Sequence, residues 1–549
     1  MWDSINLAKI KSIMFILACL TAIWGLRPGL ALAQTPVEIG CDNGVGNVAD
    51  LINNLNLANE DPDQETFILG ENCVYLLTAP TTVDQSGLLI SADLVIEGNG
   101  ATIRRKSSPL PPHFRLIKIS GGAEVLLKDL ILTDGYIVTG GGGAILTEQG
   151  STVRLDEVQL RNNTAKFGGA IATLGGTGET IVRGSLLDNN QALGGGGGIY
   201  TNSPLTISDG TTFIRNTARR DGGAISIDDR AVAVIEQSRF EQNQSLTEEG
   251  GGVYASGSLT VNQTEFISNT ASLRGGGVNS AGNKTLIIES HFLRNQADKF
   301  GGAFYTTSPQ VEVSQSAFIQ NSAAEEGGAI ISKGKSVLSD NRFIKNKAFE
   351  GAGLILTSDE TSHLVNNLWV DNESDPMPDL VVIELGGNGA VVMHHNTIIS
   401  RVPRNHGAVG IIEGELQAHN NIVINHSRPF LPRQVTGGVI LASVISTHNL
   451  FQGHTPDELT TGNSNIEAAP LFVDPANDDF RLQANSPAID KGLDVGVSID
   501  LNGRPRPVGE GFDIGAYEFD PSPPPPDDDP TPEPQPDQGF TVYLPLVVK

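Results

Sequence analysis

Residues 222–245 read Gly-Gly-Ala-Ile-Ser-Ile-Asp-Asp-Arg-Ala-Val-Ala-Val-Ile-Glu-Gln-Ser-Arg-Phe-Glu-Gln-Asn-Gln-Ser. Ile225 and Ile227 alternate, Val232 and Val234 follow, and Phe240 stands three positions before Asn243. Period two in β-branched and aromatic residues, broken by Gly, Asp and Asn, marks three short strands and three turns in about 26 residues.

The same signals return from Gly140 to Ala352. Glycine pairs begin at Gly142, Gly168, Gly196, Gly222, Gly250, Gly275, Gly301 and Gly327, and fade at Gly351. An apolar residue precedes each of Asn163, Asn190, Asn216, Asn243, Asn269, Asn295, Asn321 and Asn346 by three positions. One such unit cannot bury its apolar face alone, so a fixed period marks a stacked solenoid. The expected fold is all-β: a single-stranded parallel β-helix whose coils pair at roughly 4.8 Å.

Each repeated residue then has a physical task. The glycines serve turns of positive φ or close coil-to-coil approach. The aromatic residues stack in the core. The eight asparagines form a structural ladder, holding a turn and bonding their equivalents one coil away. Two positions later stand Ala165, Ala192, Ala218, Ser245, Ala271, Ala297, Ala323 and Ala348, which implies a tight corner.

This pairing of glycine motif and Phe-x-x-Asn resembles the repeat of polymorphic outer membrane proteins, over about 210 residues. The resemblance implies a surface-exposed adhesin built as a right-handed, pectate-lyase-like solenoid, without catalytic residues. Residues 466–519 resemble the C-terminal segment of bacterial choice-of-anchor secreted proteins. The matching runs are Asn485–Gly492, Asp500–Arg506 and Asp513–Glu518. There Asp490, Asp500 and Asp513 are expected to bond Arg504 and Arg506 and close the last coil.

Residues 1–33 read as a secretory signal peptide. Lys9 and Lys11 precede an apolar run from Ile13 to Leu26, and Ala31-Leu32-Ala33 supplies a cleavage site. The expected location is extracellular, at the cell surface or in the envelope. Export leaves Cys41 and Cys73 for a disulfide. Residues 34–90 form the expected N-terminal cap: Val48, Ala49, Leu51, Ile52, Leu55 and Ala58 have helical spacing. The β-helix runs over 91–465. A Pro/Asp-rich linker follows at 520–539, then a short apolar tail, 540–549, as a candidate envelope-attachment signal. Beyond the signal peptide no segment is long enough to span a bilayer.

The 549 residues carry a net charge of -27, which argues against nucleic acid and anionic membranes as partners. An extracellular glycan or surface protein fits better. The primary expectation is a non-enzymatic adhesin or a structural, glycan-binding stalk. The alternative is a lyase or hydrolase acting on acidic polysaccharide, which needs clustered carboxylates for calcium and a nearby base. Such a set would draw on Asp221, Asp228, Asp229, Glu248, Glu249, Asp298, Glu325 and Glu326, with Arg219, Arg220 and Arg230. None of them is assigned a catalytic role, and calcium is the one cofactor to consider. After residue 355 a second pattern appears: His395-Asn396, His419-Asn420 and His448-Asn449. These histidines are expected in one slot on successive coils, as a stacked polar ladder or a transition-metal site.

Overall fold

A computed structural model describes residues 35–60, 65–107, 112–374, 381–433 and 441–521. The expected signal peptide, nearly all of the linker and the apolar tail lie outside the described residues. The chain winds as a right-handed parallel β-helix. One coil contributes strands Ile225–Ile227, Val232–Glu236 and Arg239–Glu241, then the two-residue Gln244–Ser245. Each pairs in parallel with its equivalent: Ile225 with Val253, Ala233 with Leu259, Phe240 with Phe266, Ser245 with Ala271. Coils continue past the last glycine pair to Leu450–Gln452 and Ile466–Glu467.

In the middle strand Ala233 and Ile235 are buried, while Val232 is 55% exposed. The inward phase is therefore opposite to the valines. Gln237 sets it: its left-handed φ of 45° swings the chain so that Ser238 and Phe240 face inward after Ile235. Phe213, Phe240, Phe266, Phe292, Phe318, Phe343 and Trp369 then stack as one column through the core. Their centroids lie 4.7–5.1 Å apart, closing to 3.8 Å at Trp369. The coil repeat alone brings ring over ring.

The asparagine slot is a continuous hydrogen-bonded chain. From Asn163 to Asn346, each side-chain amide donates to the Oδ1 of the next, and the series ends on Asn372. Each amide also donates to a carbonyl one coil back, as Asn243 does to Phe213. All are buried, so these bonds satisfy groups that would otherwise be costly. A second series runs beside it: Ser185 donates its N–H to Thr211, and an unbroken chain follows from Ser238 through Thr264, Ser290, Ser316, Asn341, Asn367, Asn396, Asn421 and Asn449 to Asn465. A residue in the left-handed region precedes nearly every member of both chains, for example Gln242, Ser268 and His395.

The glycine pair divides two tasks between its members. Gly222 turns the chain at φ +68, while Gly223 lets the coils close. A Cβ on Gly223 would meet the Gly251 carbonyl oxygen at 2.1 Å.

At the N-terminal end helix α1 (Val48–Ala58) buries Leu51, Leu55 and Ala58 over the open core. Asn47 caps it by accepting from the Asp50 N–H at 3.1 Å. A disulfide links Cys41 to Cys73.

The C-terminal segment, expected to close the last coil, folds back along the flank of several of the last coils. Arg342 donates to Asn502, Asn366 to the Ile499 carbonyl, and Gly515 to the Asn420 carbonyl. The cause lies in the outward residues of those coils: Leu368, Val370, Ile399, Ile422, Ile424 and Leu450 need cover, and Phe472, Phe480, Leu501, Ile514 and Tyr517 supply it. The charge pairing differs as well. Arg506 pairs with Glu518 at 2.6 Å, both side chains fully buried. Asp490, Asp500 and Asp513 instead accept backbone N–H groups, as Asp490 does from Gly511 and Asp513 from Phe519. Short turns in this segment leave many N–H groups without strand partners, and the carboxylates take them.

Candidate functional site

The interior is filled and hydrogen-bonded, so chemistry belongs to the outer face. Directly before the glycine pairs stand Asp221, Glu249, Arg274, Phe300, Glu326 and Glu350, one per coil. Each carbonyl accepts from the first glycine of the preceding coil, as Glu249 does from Gly222 at 2.9 Å. Beside this column runs a second: Tyr200, Ser226, Tyr254, Asn279 and Tyr305. Tyr200 and Tyr254 are half-buried, one coil to either side of the coil that carries Asp221. Tyr305 is covered by Arg274, 5.0 Å above its ring.

Burial, then the charge of Glu248, pushes the Asp221 carboxyl up to about 6. Glu249 is also raised, by burial, although Arg274 bonds one of its oxygens at 2.8 Å and Asn279 the other at 3.1 Å. Farther along, Arg433 donates to both Glu350 and Glu384 at 2.5 and 2.6 Å. Burial and the adjacent Glu350 push Glu384 up. Two carboxyls in one guanidinium's grip form a clamp; retaining glycosidases need about 5 Å between their pair, and inverting ones more.

A groove of about 440 Å³ opens beside this column, over the short-strand sheet. Ala297, Ala323 and Ala348 form its floor, and Gln296, Ser322, Lys347, Phe349 and Glu373 rise around it. The small-residue slot makes the hollow, and Phe349 stands 46% exposed at its rim.

The acidic residues singled out in the sequence do not share one face. Asp228, Asp229 and Arg230 lie at the far end of strand Ile225–Ile227 from Asp221, Glu248 and Glu249. Asp228 accepts from the Tyr200 hydroxyl at 2.9 Å. Glu248 pairs with Arg220, and Glu325 with Lys299. Among the described residues no group of three or more His, Cys, Asp or Glu is arranged to hold a metal ion. Neighbouring cations occupy carboxylates that calcium would need.

The expected histidine stack is also corrected. His419 pairs with His394 and Thr447 in register, whereas His395 shares its slot with Asn420 and His448. The doublet Asn420-Asn421 is the reason: Asn421, not Asn420, is the inward ladder residue, so His419 sits one position out of phase with His395 and His448. His395 is fully buried with both nitrogens engaged, Nδ1 by the Asp513 carbonyl and Nε2 by Asn420. The rings of His394 and His419 lie 5.4 Å apart. A further pair, His406 and His426, also at 5.4 Å, was not legible as a pair because their strands are offset by a bulge.

The family model described as right handed beta helix region matches residues 113–271 and 205–369. This chain is a right-handed β-helix repeat protein. Among solved structures the β-helix is similar to a tailspike protein double mutant of E. coli bacteriophage HK620. That match has 13% identity, covers 78% of this chain and 80% of that one, and gives a TM-score of 0.43. The tailspike of the same phage in complex with pentasaccharide gives 0.39 at 13% identity, covering 76% and 78%. No curated protein matches the β-helix in sequence.

Proposed function

We propose that this β-helix is an exported rod that binds an extracellular glycan along its corner face without cleaving it. One observation carries the reading. Tyr200 and Tyr254 lie two coils apart, roughly 10 Å at 4.8 Å per rung, with Asp221 on the coil between them. That spacing is close to the length of two sugar units in an extended chain. Aromatic faces with a few fixed polar groups are the ordinary means of holding a sugar. The groove at Phe349 offers a second contact on the same side.

Export is proposed from residues 1–33, and surface attachment from residues 540–549. The resemblance to polymorphic outer membrane and choice-of-anchor proteins supports both. Deleting residues 540–549 and comparing cell-bound with released protein tests the attachment; unchanged retention removes it.

A cleaving enzyme is the second reading, favoured by Asp221: a carboxyl raised to about 6 still carries a proton in mildly acidic solution, where it can act as a general acid. It ranks second because Glu249, the adjacent carboxyl, is committed to Arg274 and Asn279. A glycan array run beside a depolymerisation screen, with and without calcium, separates the two. Binding that Tyr254→Ala abolishes, with no product, supports the stalk. Product release from any glycan reverses the order, and absence of binding to acidic and neutral glycans alike ends the reading.

A further inference from the structure

The histidines of the last coils differ in what their nitrogens are free to do. His395 has both engaged. His406 and His426 each keep an unpartnered nitrogen, but at 1% and 2% exposure no route leads to them. His394 and His419 face outward on adjacent coils, paired in register, with ring centroids 5.4 Å apart and tilted by 45°. His394 is 8% exposed, and its Nε2 has no hydrogen-bond partner. His419 is half-buried and therefore reachable from solvent. Its Nδ1 lies 2.7 Å from Thr447 Oγ1.

We propose that His394 and His419 form a two-imidazole site for a divalent transition-metal ion, nickel, copper or zinc, on the outer face of the rod. Imidazole donors suit these ions. A hydrogen bond on one ring nitrogen fixes the tautomer and leaves the other to coordinate, the usual arrangement of a ligating histidine. With Nδ1 turned to Thr447, His419 presents Nε2. The orphaned Nε2 of His394 gains a partner that its burial otherwise denies it. The described residues hold no third acidic, cysteine or histidine ligand in place, so water completes the coordination. The glycan reading is independent of this site, which lies beyond the Tyr200–Tyr254 face.

The test is calorimetric titration of the full chain, stripped with EDTA, with nickel, copper(II) and zinc chlorides. One equivalent of at least one ion is expected to bind, with affinity falling at least tenfold in His419→Gln and in His394→Gln. Circular dichroism of the metal-free variants shows whether they fold; if His394→Gln does not, His419→Gln and the copper spectrum decide. The paramagnetic spectrum of the copper(II) adduct is expected to show two coupled imidazole nitrogens, and one in His419→Gln. Binding that survives His419→Gln, an equal loss in the exposed control His291→Ala, a single coupled nitrogen in the parent, or no binding of any of the three ions would each overturn the assignment.

Discussion

Asn269 donates from Nδ2 to Asn295 Oδ1 at 3.0 Å, and its backbone N–H donates to the same oxygen at 3.0 Å. One acceptor thus closes a side chain and a backbone across each coil boundary. Asn269 Oδ1 in turn receives both donors of Asn243. Asn269→Ala would strand those two donors and the Phe240 carbonyl in a dry corner. The expected loss is about 3 kcal/mol. Because each coil contacts only its neighbours, the damage should be local. Hydrogen exchange at the Asn243 amide is the measurement; protection equal to that of the parent would refute the ladder's energetic role.

Gly223 and Gly210 separate steric from conformational need. A Cβ at Gly223 meets the Gly251 carbonyl oxygen of the next coil at 2.1 Å and the Gln244 backbone nitrogen of its own coil at 2.5 Å, which no side-chain movement can relieve. Gly210 has φ +78, yet nothing lies within 4 Å of its Cβ position. Gly210→Ala should therefore cost only about 1–2 kcal/mol, the strain of the left-handed region. Gly223→Ala should prevent folded protein from accumulating. Soluble yield and thermal melting compare the two, and a well-folded Gly223→Ala would show that the coils can spread.

The repeat was legible because its constraints recur in sequence: a buried amide, a ring and a close-approach glycine each tolerate few substitutes. The second hydrogen-bonded chain was not, because Ser185, Thr211 and Asn341 do the same task and dilute the signal. The register of the last coils was hidden for a related reason. With the glycine pairs gone, only the Asn420-Asn421 doublet was left to fix it. The Arg506 partner, Glu518, depends on a segment folding back across coils more than a hundred residues away, as the Asn366 contact shows, and no local pattern records that. The carboxyl column was visible as acidic turns, but its split between two ends of one strand requires knowing where each turn points.

Acid and base should loosen different parts of this β-helix. Burial holds His426 down to about 3 and His394 to about 4, against an unfolded value near 6.5. Between those limits the unfolded chain binds more protons, so the last coils lose stability as pH falls from 6.5 toward the folded values. Asp513 is the reverse. Burial raises it from 3.8 to about 7, so the folded state binds more protons and the C-terminal segment loosens as pH rises through that window. For either kind of group, every pH unit crossed within its window changes stability by about 1.4 kcal/mol at most. Between pH 4 and 6.5 the two windows overlap, so the parent's urea midpoints at pH 4, 5.5 and 7 carry the sum of both slopes, and His426→Leu should remove part of the acid limb, the stability gained as pH rises. An acid limb unchanged in His426→Leu would assign the sensitivity elsewhere.

The Arg506–Glu518 pair offers the sharpest test of how the C-terminal segment is held. Both side chains are fully buried, so removing one partner leaves a charge with no solvent. Arg506→Met alone should cost about 3–5 kcal/mol. Replacing both by Met removes the stranded charge, and ion pairs so replaced often recover stability. Recovery should be incomplete here, because Glu518 also accepts the Val508 and Asp513 N–H groups and Arg506 also donates to the Gly515 carbonyl. Those backbone groups would lose their partners in the double variant. Limited proteolysis within residues 490–511 reads release of the segment from the flank. The expected order of cleavage rates is parent slowest, the Arg506→Met, Glu518→Met double variant next, and Arg506→Met fastest. A double variant cleaved as fast as Arg506→Met would mean that the backbone contacts, not the buried charge, dominate the docking.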